Sequence, residues 1–144
     1  MIKAIIVEDE ELGRAALKNL IHKYCPDISV LGEAGNVKEA KKLVAEMNPD
    51  LVFLDIEMPG GSGFELLEQT EGTANFSVIF TTAYNQYAVK AFKYSAVDYL
   101  LKPINIDELI NAVKKLSSPG EKKNMRSSLQ HFIDSYGKIG RAHV

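Results

Sequence analysis

The sequence lacks features that mark secreted, membrane-spanning and thiolate-metal proteins. Cys25 is the only cysteine, which excludes an intrachain disulfide and a zinc site built from several cysteines. No apolar run reaches the roughly 18 residues of a membrane-spanning helix. Met1 leads directly into an Ile/Val-rich segment, with no basic leader and cleavage site. We therefore expect a cytoplasmic protein that does not bind a membrane.

The charge of the chain is small and unevenly distributed. The 144 residues have a net charge of −2, with 46% hydrophobic and 25% charged side chains, which is typical of one soluble domain. Residues 1–116 carry 12 basic and 17 acidic side chains, whereas residues 117–144 carry 5 and 2. The acidic main body argues against direct nucleic-acid binding. The basic C-terminal segment is interpreted as a solvated linker, and a contact with DNA stays open.

Five β-branched or apolar segments alternate with segments of helical period. The predicted strands are Lys3–Val7, Ile28–Leu31, Leu51–Leu54, Val78–Phe80 and Val97–Leu101. The predicted helices cover residues 12–24, 37–47, 64–70, 85–94 and 106–116. This alternation predicts an α/β fold with a parallel sheet. The length favours a doubly wound sheet with helices on both faces over a closed barrel, which needs more βα units.

Local signals predict where several helices begin and end. Asn36 with Glu39, and Asn105 with Glu108, have the spacing of capping boxes at the second and fifth helices. After residue 116 a segment rich in serine, proline and glycine breaks the helical pattern. We therefore divide the chain into a domain over residues 1–116 and a second segment over residues 117–144. We interpret that segment as a linker, followed either by the truncated start of an effector region or by a non-native remnant.

Polar side chains follow four of the five predicted strands. Glu8 and Asp9 follow the first, Asp55 the third, Thr82 the fourth and Lys102 the fifth. Because ligands of wound sheets bind at the carboxyl ends of the strands, we expect these side chains to converge. Carboxylates crowded in one pocket require a cation, and oxygen ligands with room for water suit Mg²⁺. A carboxylate on Mg²⁺ beside a lysine can attack a phosphoryl group, and a nearby hydroxyl can bond the product.

Taken singly, each of these residues has a simpler explanation. Acids often open a helix because they interact favourably with its dipole. Thr82 alone would be an ordinary strand residue, and Lys102 alone would be a solvated amine. The occurrence of all of them at strand ends of one sheet favours a functional site.

Four segments together resemble the receiver domains of two-component response regulators over residues 2–116: IIVEDEELGR, LVFLDIEMPGGSGFELL, VIFTTAY and AVDYLLKP. The resemblance implies a flavodoxin-like five-stranded sheet of order 2-1-3-4-5. It also implies a sensor histidine kinase as partner and Asp55 as the phosphoacceptor. Mg²⁺ would be held by Asp9, Asp55 and the backbone carbonyl of Glu57, with Glu8 acting directly or through water. Glu8 departs from the commonest pattern, which has Asp at this position.

The resemblance also assigns the residues that convert phosphorylation into a signal. It implies that Thr82 is the switch hydroxyl, that Lys102 contacts the phosphoryl group and that Tyr99 is the switch aromatic. The peptide bond between Lys102 and Pro103 is expected to be cis. Glu57 and Tyr84 occupy two variable positions that tune the lifetime of the phosphoryl group in the family. We expect a phosphoacceptor regulator with at most slow self-dephosphorylation, not an enzyme.

The segment QYAVKAFKYSAVDYLLKP resembles, more narrowly, receivers of LytTR-type regulators. This implies transcription regulation, with DNA contacted only through an effector domain that this chain does not contain. The family resemblance also favours a phosphorylation-promoted homodimer through the predicted fourth helix, fifth strand and fifth helix. The alternative is an ordinary amphipathic fourth helix with Phe92 buried.

Three other functions share parts of this pattern. A haloacid-dehalogenase-like aspartyl-phosphate hydrolase also places an Asp nucleophile after a strand, but it has a second Asp where this chain has Glu57. A flavodoxin-like binding module should have a Ser/Thr/Gly-rich loop after the first strand, where this chain has acids. A receiver that never accepts a phosphoryl group is disfavoured, because every position of the chemistry is filled.

Overall fold

The computed structural model describes residues 1–116, which alternate between strands and helices. The strands are β1 (Ile2–Val7), β2 (Ile28–Ala34), β3 (Leu51–Leu54), β4 (Ser77–Thr82) and β5 (Asp98–Leu101). The helices are α1 (Glu11–Tyr24), α2 (Val37–Met47), α3 (Gly63–Thr70), α4 (Ala88–Lys93) and α5 (Ile106–Lys115). The predicted succession of five strands and five helices is confirmed. Our interpretation of residues 117–144 lies outside the described residues.

All five strands are parallel and lie in the order β2-β1-β3-β4-β5. This is the doubly wound, flavodoxin-like order that the family resemblance implied. The chain passes from β1 outward to β2 and then returns to β3 on the other side of β1. The winding direction therefore reverses between β1 and β3, and the carboxyl ends of these two strands flank the crevice where ligands bind.

Both faces of the sheet are covered by helices, which explains why the central strands are continuous apolar runs. Successive side chains of a strand point to opposite faces, so neighbouring residues anchor different layers. One face packs against α2, α3 and α4, and its strand residues include Ile5, Val7, Val52, Leu54, Val78 and Phe80. The other packs against α1 and α5, and its strand residues include Ala4, Ile6, Leu51, Phe53 and Ile79. Two cores thus hold the strand ends in fixed relative positions.

Side chains cap the helices where the sequence predicted. The Asn36 side chain accepts a hydrogen bond from the backbone N–H of Glu39 at 2.8 Å. The Asn105 side chain accepts one from the backbone N–H of Glu108 at 3.0 Å. Both predicted N-caps are confirmed, and each satisfies a backbone donor that the first turn leaves unpaired.

Several element boundaries differ from the sequence prediction, most of them by one residue. Strand β4 covers Ser77–Thr82, beyond the predicted Val78–Phe80, so Thr82 is its last residue. Strand β2 continues to Ala34, beyond the predicted end at Leu31. The prediction ended too early because this edge strand has partly exposed residues and no continuous apolar run. Helix α4 is confined to Ala88–Lys93, while the predicted helix began at residue 85. Among residues 1–116, no helix has the length and apolar character needed to cross a bilayer.

Candidate functional site

Three carboxylates meet at the carboxyl ends of β1 and β3. Glu8 and Asp9 follow β1 and Asp55 follows β3, and one oxygen from each side chain lies within 4.8 Å of the others. Glu8 and Asp55 are only 3% and 5% exposed, and Asp9 is half-buried. The structure therefore brings together the acids that follow the predicted strands. Such crowding places unfavourable negative charge in a poorly solvated pocket.

Main-chain pairing fixes the two buried acids beside each other. The N–H of Asp55 donates to the Val7 carbonyl at 2.9 Å, and the N–H of Glu8 donates to the Ala34 carbonyl at 2.9 Å. Each acid therefore continues the hydrogen-bond ladder one residue past its strand. Gly63 permits this packing, because a Cβ at that position would clash with the Asp55 carbonyl oxygen.

The ammonium group of Lys102 bridges the two buried carboxylates. Its Nζ lies 2.5 Å from Oε1 of Glu8 and 3.0 Å from Oδ2 of Asp55. Burial lowers the pKa of Lys102, but its hydrogen bonds to the two carboxylates outweigh that effect and raise it. The amine is therefore a cation at neutral pH. The following peptide bond, Lys102–Pro103, is cis.

One amine does not balance this negative charge. Burial, reinforced by the hydrogen bond and charge of Asp55, raises the pKa of Glu8 to about 8, although Lys102 opposes the shift. Oε2 of Glu8 is buried and has no hydrogen-bond partner within the described part of the chain. A bound divalent cation would supply both the missing charge and the missing contact. The donors are all oxygen, so these residues fit the Mg²⁺ site that the sequence predicted.

Arg14 stabilises the loop that carries Glu8 and Asp9. Its Nη1 donates to the Glu8 carbonyl at 2.6 Å and to the Asp9 carbonyl at 3.3 Å, and its Nε lies 3.6 Å from the Glu33 carboxylate. Sequence reasoning missed this residue. A signal was present, because a basic side chain in the first turn of a helix opposes the helix dipole and suggests a specific partner.

Thr82 and Tyr99 lie behind the pocket and contact the loop between β4 and α4. Thr82 is fully buried, and its hydroxyl oxygen accepts a hydrogen bond from the Tyr84 N–H at 3.4 Å. Tyr99 is 4% exposed, and its phenol donates to the Tyr84 carbonyl. Burial raises the pKa of Tyr99, which keeps its phenol a donor. The two residues assigned to the switch therefore share Tyr84 as a neighbour.

The mouth of the pocket contains a hydrogen bond that sequence reasoning missed. Glu57 lines the pocket, and its carboxylate accepts a hydrogen bond from the phenol of Tyr87. The Tyr84 ring contacts the Tyr87 ring edge-on, with centroids 6.3 Å apart. Glu57 raises the pKa of both phenols. At Tyr84 the main cause is the negative charge of Glu57, and at Tyr87 it is the hydrogen bond to Glu57. The role of the Glu57 backbone carbonyl as a metal ligand stays a prediction.

Comparison with known proteins identifies the family of this chain. The family model described as the response regulator receiver domain matches residues 4–114. An uncharacterized response regulatory protein of Vibrio vulnificus is 43% identical over 135 residues, which cover 94% of this chain and 54% of that protein. The sensory transduction protein LytT of Bacillus cereus is 37% identical over 116 residues, which cover 80% of this chain and 47% of that protein. The chain thus spans about half the length of these curated relatives.

A solved structure supports the same assignment. The crystal structure of a DNA-binding response regulator of the LuxR family from Staphylococcus aureus superposes with a TM-score of 0.74 at 35% sequence identity. The match covers 82% of this chain and 100% of that one. The similarity to LytT confirms the narrower resemblance found in the sequence. From its fold, its acidic site and these matches, we conclude that the chain belongs to the response regulator receiver domain family.

Proposed function

We propose that this receiver domain is a signalling switch in which Asp55 accepts a phosphoryl group from a sensor histidine kinase. The observation that carries the proposal is the convergence of Asp55 with Glu8 and Asp9 within 4.8 Å. The Asp55 carboxylate is also held in place from two sides. Its Oδ1 accepts a hydrogen bond from the Ile56 N–H at 2.7 Å, and its Oδ2 accepts one from Lys102 at 3.0 Å.

The proposed reaction transfers a phosphoryl group from nitrogen to oxygen. An Asp55 carboxylate oxygen attacks the phosphorus of a phosphohistidine, a P–O bond forms, and the bonding pair of the broken P–N bond leaves with the imidazole. Glu8, Asp9, Asp55 and the backbone carbonyl of Glu57 would hold Mg²⁺. When bound, Mg²⁺ offsets negative charge on the transferred oxygens. Lys102 already donates to Asp55 and is placed to donate to a phosphoryl oxygen.

The added charge would change the contacts of the residues behind the pocket. An aspartyl phosphate brings close to two negative charges, which favours any state that presents more donors to it. In this proposal the Thr82 hydroxyl leaves the Tyr84 N–H and donates to the phosphoryl group. Tyr99 follows the loop, because its phenol is bonded to the Tyr84 carbonyl. The displacement reaches the surface of α4, β5 and α5.

That surface is the proposed output face. It exposes apolar side chains: Val89 is 59% exposed, and Phe92 and Ile106 are each 37% exposed. The expected burial of Phe92 in the alternative is therefore wrong, while an ordinary amphipathic fourth helix stays open. Exposed aromatic and aliphatic groups favour an interface, and we propose a homodimer that phosphorylation promotes. DNA would be contacted only through an effector domain outside this chain, as in a transcription regulator.

The central test is the mass of the intact chain after incubation with Mg²⁺ and a small acyl phosphate. We expect the protein to gain one phosphoryl group and the Asp55→Asn variant to gain none. A wild-type chain that stays unmodified would refute the proposal. Sedimentation of the same samples tests dimerisation, because an unchanged sedimentation coefficient after phosphorylation contradicts the proposed dimer.

The haloacid-dehalogenase alternative predicts a different result in the same assay. Such an enzyme would release inorganic phosphate from a small phosphate ester over many turnovers. The receiver should consume about one phosphodonor per chain and lose the phosphoryl group slowly. Phosphate release measured alongside the mass therefore separates the two functions.

A further inference from the structure

Five carboxylates line the pocket in the described part of the chain: Glu8, Asp9, Glu10, Asp55 and Glu57. Only three of them form the compact cluster. Glu57 follows Asp55 by two residues, so its side chain belongs to the same short loop. Instead of joining the cluster, its carboxylate accepts a hydrogen bond from the Tyr87 phenol. The position of the Glu57 carboxylate therefore affects the negative charge near a bound metal ion and near a phosphoryl group.

The Tyr87 ring is itself anchored to the core. It meets the Phe64 ring edge-on with centroids 6.2 Å apart, and Phe64 is 2% exposed. Phe64 in turn lies against Phe80 of β4, with centroids 5.2 Å apart. The phenol is thus directed at Glu57 by aromatic packing that continues into the sheet. An anchored donor restrains a flexible carboxylate at a small entropic cost.

We propose that Tyr87 is a positioning residue that holds the Glu57 carboxylate at the pocket mouth and keeps it out of the metal coordination shell. The inference rests on the proposed function, because it assigns a task to a side chain of the same site. A freed Glu57 carboxylate would compete with its own backbone carbonyl for the metal, because an anionic oxygen binds a divalent cation more strongly than a neutral one. It would also repel an incoming phosphoryl group.

The bond also joins two parts of the site that belong to different loops. Glu57 lies in the loop between β3 and α3, whereas Tyr87 is the residue directly before α4. Tyr84, in the same loop as Tyr87, contacts both Thr82 and Tyr99. Tyr87 therefore fixes Glu57 from the segment that the proposed switch would move.

Removal of the phenolic hydroxyl provides the test, and α4 offers a matched control. Tyr87→Phe removes the bond to Glu57. Tyr94→Phe removes a similar bond at the other end of the helix, where the Tyr94 phenol donates to Oε1 of Glu68 at 2.9 Å. Each variant is titrated with Mn²⁺ followed by electron paramagnetic resonance, and its initial rate of phosphoryl gain from an acyl phosphate is measured. Thermal unfolding of each variant monitors its stability.

We expect Tyr87→Phe to bind Mn²⁺ tighter by on the order of threefold to tenfold, the effect of an added charged ligand. Phosphoryl gain should slow by a similar factor, while Tyr94→Phe should match the wild type in both measurements. In a Glu57→Ala background, which keeps the backbone carbonyl, Tyr87→Phe should change neither measurement. Because Tyr84 also neighbours Glu57, a Tyr84→Phe/Tyr87→Phe double variant is included, and its shift should be at least as large.

Two results would overturn the inference. One is an unchanged Mn²⁺ affinity in both the single and the double tyrosine variants. The other is a shift that persists after Glu57→Ala, since the phenol would then act through another group. A wild-type protein that binds Mn²⁺ but never gains a phosphoryl group would refute the proposed function alone, because the metal titration still measures the effect of Tyr87 on Glu57.

Discussion

Replacing Lys102 with methionine tests the charge balance of the site. The substitution keeps an apolar stem but removes an ammonium group that lies 2.5 Å from Glu8 and 3.0 Å from Asp55. Removing one partner of a buried ion pair typically costs about 3–5 kcal/mol, because the remaining charge is left uncompensated. Here the lysine side chain is 29% exposed, and Glu8 can take up a proton. We therefore expect the free energy of unfolding to fall by about 2 kcal/mol at neutral pH.

Urea unfolding followed by far-ultraviolet circular dichroism measures this loss. Mg²⁺ should restore much of the stability of Lys102→Met, because the ion supplies positive charge to the same oxygens and binds only the folded state. Above pH 8, where Glu8 is ionised in the folded protein, the same substitution should cost about half as much in a Glu8→Gln background, since one of its two charged partners is then absent. Equal stability of Lys102→Met and wild type, or an undiminished cost in the Glu8→Gln background, would refute this reasoning.

Two further predictions concern the packing and protonation of the acids. Gly63→Ala should destabilise the protein by about 1–3 kcal/mol through overpacking against Asp55, and it should slow phosphoryl gain. The control is Gly72→Ala, at a position with φ of 78° and open space. It should cost about 1–2 kcal/mol of stability and leave the rate of phosphoryl gain unchanged. Because the pKa of Glu8 is raised from 4.5 to about 8, the metal-free protein should lose stability as pH rises through this range, since the unfolded state releases the proton first. Metal affinity should rise over the same range as the competing proton is lost, and a Glu8→Gln variant with the same pH profiles as wild type would contradict the assignment.

The fold was accessible from the sequence because the sheet is buried on both faces. Leu51–Leu54 has no polar residue and is flanked by Asp50 and Asp55, so its predicted limits match β3. Strand β2 was predicted too short, since an edge strand alternates polar with apolar residues and Gly32 with Glu33 resemble a turn. Strand β4 is buried but was also predicted too short, because polar residues lie at its ends: Ser77, Thr81 and Thr82.

Part of the candidate site was also predictable from the sequence, and part was not. Glu8, Asp55 and Lys102 could be placed together because they directly follow strands, and the main-chain ladder of a parallel sheet brings its strand ends to one edge. No such rule governs the bond between Tyr87 and Glu57, which joins residues 30 positions apart and depends on the conformations of two loops.

This difference suggests where receivers of one fold acquire individual behaviour. The acids and the lysine are fixed by the sheet, so their chemistry follows wherever the strand-end residues are present. The charge at the pocket mouth is fixed by the Glu57 carboxylate and by the Tyr87 phenol that donates to it. The phenolic hydroxyl can be removed while the ring keeps its packing against the core. Exposed loop positions tolerate substitution better than buried strands. The proposed phosphoryl transfer therefore rests on the strand-end residues, whereas the proposed control of its rate rests on the side-chain contact between Glu57 and Tyr87.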